Sequence, residues 1–389
     1  MQTAPSPRSS AAMYTTSMGQ LYNAQSGPGV PDGVWNTPLA ANAPIDPESA
    51  SLVGIVDQWF PGPKGSWANF TDPNQVRIWI ASFRTPQVKV TLDPGSAWQQ
   101  GLQQVFNQVP FPAAAQPSPG TDERMAILQP STGCLWEFWH LYWNTTDNSW
   151  HAAWGGRTCH IWSDYGAFQN VEDPLGNVLE QASWGASAAG LADYAGAMKV
   201  DELAHGTIPH AITFAIDGSA NCSGIWSVPA QRTDGDTPPI FSAGGEPTNC
   251  IPEGARFRLP PPCPAGTPST PGVCFNLSDL AGDPPIIQEM AAAVQTYGMI
   301  DENSTSGGIV GVESAGPGDP PYLVLGADPY TTAIPGEANT PFFGTDSNHG
   351  ALALFPWTWL ELVQMNVTSS PNQTWYTETD PPGRFWPNP

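Results

Sequence analysis

The chain has 389 residues, including 44 Pro, 39 Gly and 17 Trp, and its 12 Lys+Arg against 35 Asp+Glu give a formal net charge of −23. So few cations exclude nucleic-acid binding, which needs a basic surface to displace counterions, and argue against an anionic membrane surface. With 40% apolar and 11% aromatic residues, the chain is neither disordered nor a coiled coil, and no apolar window is long enough to insert in a membrane.

Residues 1–20 carry no apolar signal-peptide core and read as a mature start. Residues 1–45 are rich in Ser, Pro, Ala and Gly and read as an extended arm. A β-rich core is expected over 46–365. Period-two alternation predicts strands over 76–80 and 88–92. Residues 110–122 form a Pro-rich connector, a possible divide between two packed subdomains. Strands follow over 125–128 and 134–143, and 150–154 reads as the return strand of a hairpin looped through 144–149. Further short strands are predicted over 213–216, 224–228 and 255–259. A short helical turn is expected within 191–203. Ile286, Ile287, Met290, Ala293, Val294 and Tyr297 make a 3.6-period stripe, so a helix is expected from Pro284 to Tyr297 with Asp283 as its N-cap. Residues 366–389 form a Pro-rich tail. Many short strands, few helices and no internal repeat predict an all-β fold with a sandwich or jelly-roll-like core.

Six cysteines without a C-x-x-C suit three disulfides, and sequence order favours Cys134–Cys159, Cys222–Cys250 and Cys263–Cys274 among 15 connectivities. Seven N-x-S/T acceptors begin at Asn69, Asn144, Asn221, Asn276, Asn303, Asn366 and Asn372. Together these point to a secreted, extracellular glycoprotein.

Six Trp fall within 136–162, interleaved with Glu137, His140, His151, Arg157, His160 and Asp164. On one continuous strand, 137, 139, 141 and 143 share a face, and 136, 138, 140 and 142 the other. An acid among indoles is how many proteins hold a sugar, the ring stacking on C–H groups while the carboxyl meets hydroxyls. Trp139, Trp143, Trp154, Trp184, Arg157 and His140 are therefore candidate substrate contacts. In the second segment, 184–216, adjacent Asp201 and Glu202 diverge on a helix, so at most one of them enters a site. Either acid, with Glu137 or Asp164 as partner, makes a candidate catalytic pair, and His210 is a candidate base. The spacings Glu202-x-x-His205 and His205-x4-His210 lack a third ligand, so no metal and no cofactor are expected.

The order of motifs resembles a family of uncharacterised secreted microbial β-rich proteins. It is carried by Cys134-Leu135-Trp136-Glu137, Ala189-Gly190-Leu191, the run from Asp201 to Ala211, Pro229-Ala230, residues 254–259, and Tyr297-Gly298-Met299 before a turn with Asp301 and Asn303. The match spans roughly 120–315. This chain lacks the family's Asp in the Trp/Gly segment, and it has Gln231-Arg232 where relatives tend to have His. The resemblance implies a secreted β-rich protein and supplies no reaction.

The reading of the residues is a carbohydrate-active enzyme, a glycoside hydrolase acting on a neutral polysaccharide through Asp201, Glu202, Glu137 and His210. A polysaccharide lyase fits less well, since 12 cations are few for neutralising a uronate. The alternative is a non-catalytic glycan-binding or self-associating extracellular protein.

Overall fold

The computed structural model describes residues 34–58, 67–69, 74–94, 102–159, 161, 168, 171–172, 178–180, 185–305, 309–312, 328–336 and 339–368. The elements run in chain order: α1 (Ser49–Asp57), β1 (Trp67–Asn69), β2 (Arg77–Ile80), β3 (Gln87–Val88), β4 (Val90–Leu92), α2 (Leu102–Phe106), β5 (Val109–Pro110), β6 (Met125–Gln129), β7 (Cys134–Asn144) and β8 (Ser149–Thr158). After β9 (Val171–Glu172) and β10 (Val178–Glu180) come α3 (Asp193–Gly196), α4 (Val200–His205), β11 (Ile212–Asp217), β12 (Asn221–Ser227), β13 (Ile251–Glu253) and β14 (Arg256–Arg258). The last are α5 (Pro285–Thr296), β15 (Met299–Thr305), β16 (Ile309–Val312), α6 (Asn348–Ala353), β17 (Glu361–Leu362) and β18 (Val367–Thr368).

The protein is β-rich with few short helices, and its described strands close no barrel. One sheet has the order β1-β16-β11-β15-β14-β17, a second β2-β6-β7-β8-β4, and a third β13-β12-β18. The two larger sheets mix strand directions: β11–β15 and β2–β6 are parallel, whereas β14–β15 and β7–β8 are antiparallel. One apolar cluster draws on both, with Ile78, Ala126, Leu128 and Leu135 meeting Ala211 and Ile300 around Leu191 and Tyr194. On the far side of the six-stranded sheet, Phe214, Phe257 and Met299 pack on Ile286, Ile287, Met290 and Val294 of α5. Each of those fully buried side chains stabilises the fold by about 1.5–3 kcal/mol.

The three expected disulfides are present as paired: Cys134–Cys159, Cys222–Cys250 and Cys263–Cys274. The hairpin is the longest antiparallel pair, from Leu135↔Thr158 to Asn144↔Ser149. Three expectations need correction, and two terminal segments make contacts of their own. Residues 34–45 pack on the rest of the chain: Trp35 is fully buried, its carbonyl accepts the Ala211 N–H at 2.7 Å, and the Leu39 N–H reaches Thr296. The chain from 88 to 92 is two strands in two sheets, β3 with β5 and β4 with β8. Pro284, not Asp283, holds the N-cap of α5, and Pro285 takes the first turn, where its missing N–H costs nothing. The segment with Asp301 and Asn303 is a central strand, not a turn, because burial pairs its backbone with β11 and β14. The tail contributes β18 to a sheet before leaving the described residues.

Face alternation along β7 breaks at His140. That residue has φ +51°, and its N–H turns to the carbonyl of Asp122. Before it, Trp136 and Phe138 face α2 while Trp139 faces away, beside Ala186. Beyond it, Leu141 joins the Trp136 and Phe138 side, and Trp143 lies against Trp150, which packs there too. Glu137 and Trp139 therefore do not share a face with Leu141 and Trp143.

Candidate functional site

Two short helices build the centre of the site. Lys199 stands at the N-cap of α4, and its N–H donates to Oε2 of Glu202 at 3.0 Å, the third residue of the helix turning back on the first turn. Gly206 ends α4 at φ +73°, where a Cβ would meet the Asn339 amide at 2.7 Å, so only glycine fits. The chain then returns through His210 into β11.

His210 is fully buried. Its Nδ1 lies 2.8 Å from the carbonyl of Ala211, which only accepts, so Nδ1 carries a proton. Its Nε2 faces two groups, Glu202 Oε2 at 3.0 Å and Lys199 Nζ at 3.4 Å. Nε2 is thus shared between a carboxylate and an ammonium. The Lys199 ammonium also lies 4.9 Å over the ring of buried Tyr194.

Burial pushes the Lys199 ammonium below its ordinary range, opposed by the charges of Glu202 and Asp201. Burial pushes Glu202 up, but Lys199 and His210 outweigh it and hold the carboxyl below its ordinary range. Asp201, half-buried next door, is raised to about 6 by burial and by the charge of Glu202.

Glu137 lies across α3 from this set. Its Oε1 accepts the Tyr194 N–H at 2.9 Å, and its Oε2 accepts those of Ala186 at 3.3 Å and Asp193 at 3.4 Å. Asp193 pairs with Arg124, and all three side chains are buried. Burial and then the Asp193 charge lift Glu137 well above the carboxyl range. Gly185, at φ +72°, lets the chain pass, since a Cβ there would meet Phe168 at 2.3 Å and Glu137 Oε2 at 2.8 Å. Trp139 and Trp154 pack with Ala186, and the Arg232 guanidinium sits 5.1 Å over Trp154.

The structure thus brings Glu202 and His210 into contact, sets Asp201 beside them, and links Glu137 to Lys199 only through Tyr194, whose N–H donates to Glu137 and whose ring lies under the ammonium. Trp139 and Trp154 share the Glu137 side. Trp143 lies elsewhere, 47% exposed and packed edge-on against Trp150. His140 stands beside Trp139 and 3.7 Å from Glu123. Arg157 pairs in register with Trp136, on the side away from Glu137. His205 turns back on the Asp201 carbonyl at 2.6 Å, apart from His210. Among the described residues no group of three or more His, Cys, Asp or Glu is arranged to hold a metal ion. Trp184, His160, Trp162 and Asp164 lie outside the described residues.

Sequence reasoning missed Asp193, Arg124 and Tyr194, and it gave Lys199 no role, although Lys199 is one of only three lysines and adjoins an Asp-Glu pair. It also missed a second buried carboxyl group. Asn221 donates to Asp301 Oδ2, Ser304 Oγ lies 3.1 Å from Asn221 Oδ1 and 3.4 Å from Glu253 Oε1, and the Ser304 N–H donates to Asp234 at 3.1 Å. Burial lifts both Glu253 and Asp301 well above their ordinary range, with the charge of Asp234 adding to each.

Comparison of the chain with protein-family models, with curated proteins and with solved structures returns no match.

Proposed function

We propose that the protein is a secreted glycoside hydrolase acting on a neutral polysaccharide, with its two larger sheets as halves of a sandwich-like core. Asp201 supports this reading: alone among the described candidate carboxyls it is half-buried rather than buried and holds its proton to about pH 6. In this reading Asp201 protonates the departing glycosidic oxygen as the C–O bond breaks, and water adds to the anomeric carbon. A second carboxylate takes the proton of that water. Burial and the charge of Glu202 keep Asp201 protonated, against the opposing charge of Lys199. Three disulfides support an extracellular setting.

A second reading, a non-catalytic glycan-binding or self-associating extracellular protein, is favoured by Glu137. Its carboxyl is taken up by three backbone N–H groups, a use that requires no substrate. A panel of neutral polysaccharides incubated with wild type and Asp201→Asn separates the two. Soluble sugar released by wild type alone supports the hydrolase. No release from any polymer by folded wild type, or equal release by both proteins, overturns it.

A further inference from the structure

The tip of the β7–β8 hairpin carries chemistry that the buried cluster does not use. Asn144 ends β7 and opens the sequence Asn144-Thr145-Thr146. Its Oδ1 accepts the Thr146 N–H at 2.9 Å, an Asx turn. The turn engages the amide oxygen and leaves Nδ2 as the outer end of the side chain, with Thr145 and Thr146 exposed.

Strand alternation places Asn144 on the same face as Tyr142, and the register sets Ser149 and His151 opposite them. That face is held rigid. The Tyr142 hydroxyl donates to Asp93 at 2.9 Å, and His151 meets Asp93 through Nδ1 at 3.2 Å and Asp147 through Nε2 at 2.9 Å. Ser149 Oγ donates to Asp147 at 2.8 Å. The half-exposed Tyr142 ring stands two residues before Asn144, about 7 Å along the strand, roughly the reach of one pyranose ring.

Other acceptor sequences sit differently. Asn221 is fully buried, and its Nδ2 donates to Asp301 and to the Ile251 carbonyl. Asn303 lies within β15, its Oδ1 accepting the Ala188 N–H at 3.3 Å. A glycan on either would have to occupy space filled by the six-stranded sheet and its neighbours.

We propose that Asn144 is N-glycosylated, with its first N-acetylglucosamine laid against Tyr142, and that Asn221 and Asn303 stay unmodified in the folded protein. In the transfer, Nδ2 of Asn144 bonds to the anomeric carbon of an oligosaccharide carried on a polyprenyl diphosphate. The anomeric C–O bond breaks, the diphosphate leaves with the bonding pair, and the amide proton passes to the transferase's base. Donor and transferase are those of a eukaryotic secretory membrane, and the proposal does not depend on the hydrolase reading.

The test is to secrete the full chain from a eukaryotic host and map occupancy by amidase release in heavy-oxygen water, which marks each formerly glycosylated Asn by mass. Occupied Asn144 with bare Asn221 and Asn303 is expected; secreted protein bare at Asn144, or occupied at Asn221 or Asn303, overturns the proposal. For the ring contact, protein trimmed to one N-acetylglucosamine is compared with Asn144→Gln in wild-type, Tyr142→Phe and Tyr142→Ser backgrounds. The sugar is expected to raise Tm by about 2 °C wherever the ring remains and not in Tyr142→Ser. An equal effect in all three removes the stacking role.

Discussion

The Lys199 ammonium lies 3.4 Å from Nε2 of His210, in the interior of a protein that has three lysines in all. Two groups that both gain positive charge on protonation tolerate this distance only if one is neutral or a carboxylate stands between them in charge. Glu202 is that carboxylate, bonded to the same Nε2.

Removing the charge of Glu202 should therefore be costly. Glu202→Gln leaves the buried ammonium with Asp201 alone as counter-charge and should lose about 3 kcal/mol of stability, read from urea unfolding. Adding Lys199→Met to it should restore part of that loss, with a coupling of at least about 1 kcal/mol in the double-mutant cycle. Additive losses would show that the contact carries no energy.

Asp201 gives the catalytic reading its pH signature. A general acid must hold its proton, so activity should fall as pH rises through about 6. Asp201→Asn should lower the rate about 100-fold or more and abolish that limb, while circular dichroism shows an unchanged fold.

Stability should decline as the solution turns from acidic to neutral. Glu253, Asp301 and Glu289 all have raised carboxyl pKa values in the folded state, Glu289 to about 8 from burial. Between the unfolded and folded pKa values, the native state holds protons that the unfolded chain has released, so rising pH favours unfolding. Glu289 keeps its bond from Asn339 at 2.9 Å, and Gln is close to it in shape. Glu289→Gln should match wild type near pH 4 and exceed it by on the order of 2 kcal/mol at pH 7, in denaturant titrations at both values.

Glu137 offers a contrast between charge and shape. Its carboxyl sits well above its ordinary range, so Glu137→Gln removes little charge; its amide oxygen can still accept two of the three N–H groups while its NH2 meets the third, and it should cost about 1 kcal/mol. Glu137→Ala strips acceptors from three buried N–H groups and should cost about 3 kcal/mol or more. Equal losses in the two variants would show that the negative charge, not the acceptor, matters.

What the sequence showed was local. The 134–158 hairpin, the helix over 285–296 and the three cysteine pairs are each set by neighbours within about thirty residues, where alternation, helical period and order speak directly. β15 was hidden because Asp301, Glu302 and Asn303 read as solvent-facing, yet all three lie in a central strand, Asp301 and Glu302 buried and Asn303 half-buried. The Arg124–Asp193 pair joins residues 69 apart, a separation at which no periodicity reports. The reversal at His140 was equally silent, because the break lies in one backbone torsion and the flanking apolar pattern gives no sign of it.

The buried Trp35 ties assembly to the order of synthesis. Its carbonyl bonds Ala211, Arg256 donates to the Val34 carbonyl, and Arg258 reaches the Ala40 carbonyl 218 residues away. Asp46 accepts the Met365 N–H, 319 residues away. The first of these closures waits until more than half the chain has emerged and the last until nearly all of it has, so the first described segment is among the last to be fixed. Until then the segment from Val34 to Asp46 lacks its partners. The disulfides Cys134–Cys159 and Cys222–Cys250, each closing a short loop, can then hold local pieces in place until the ends arrive.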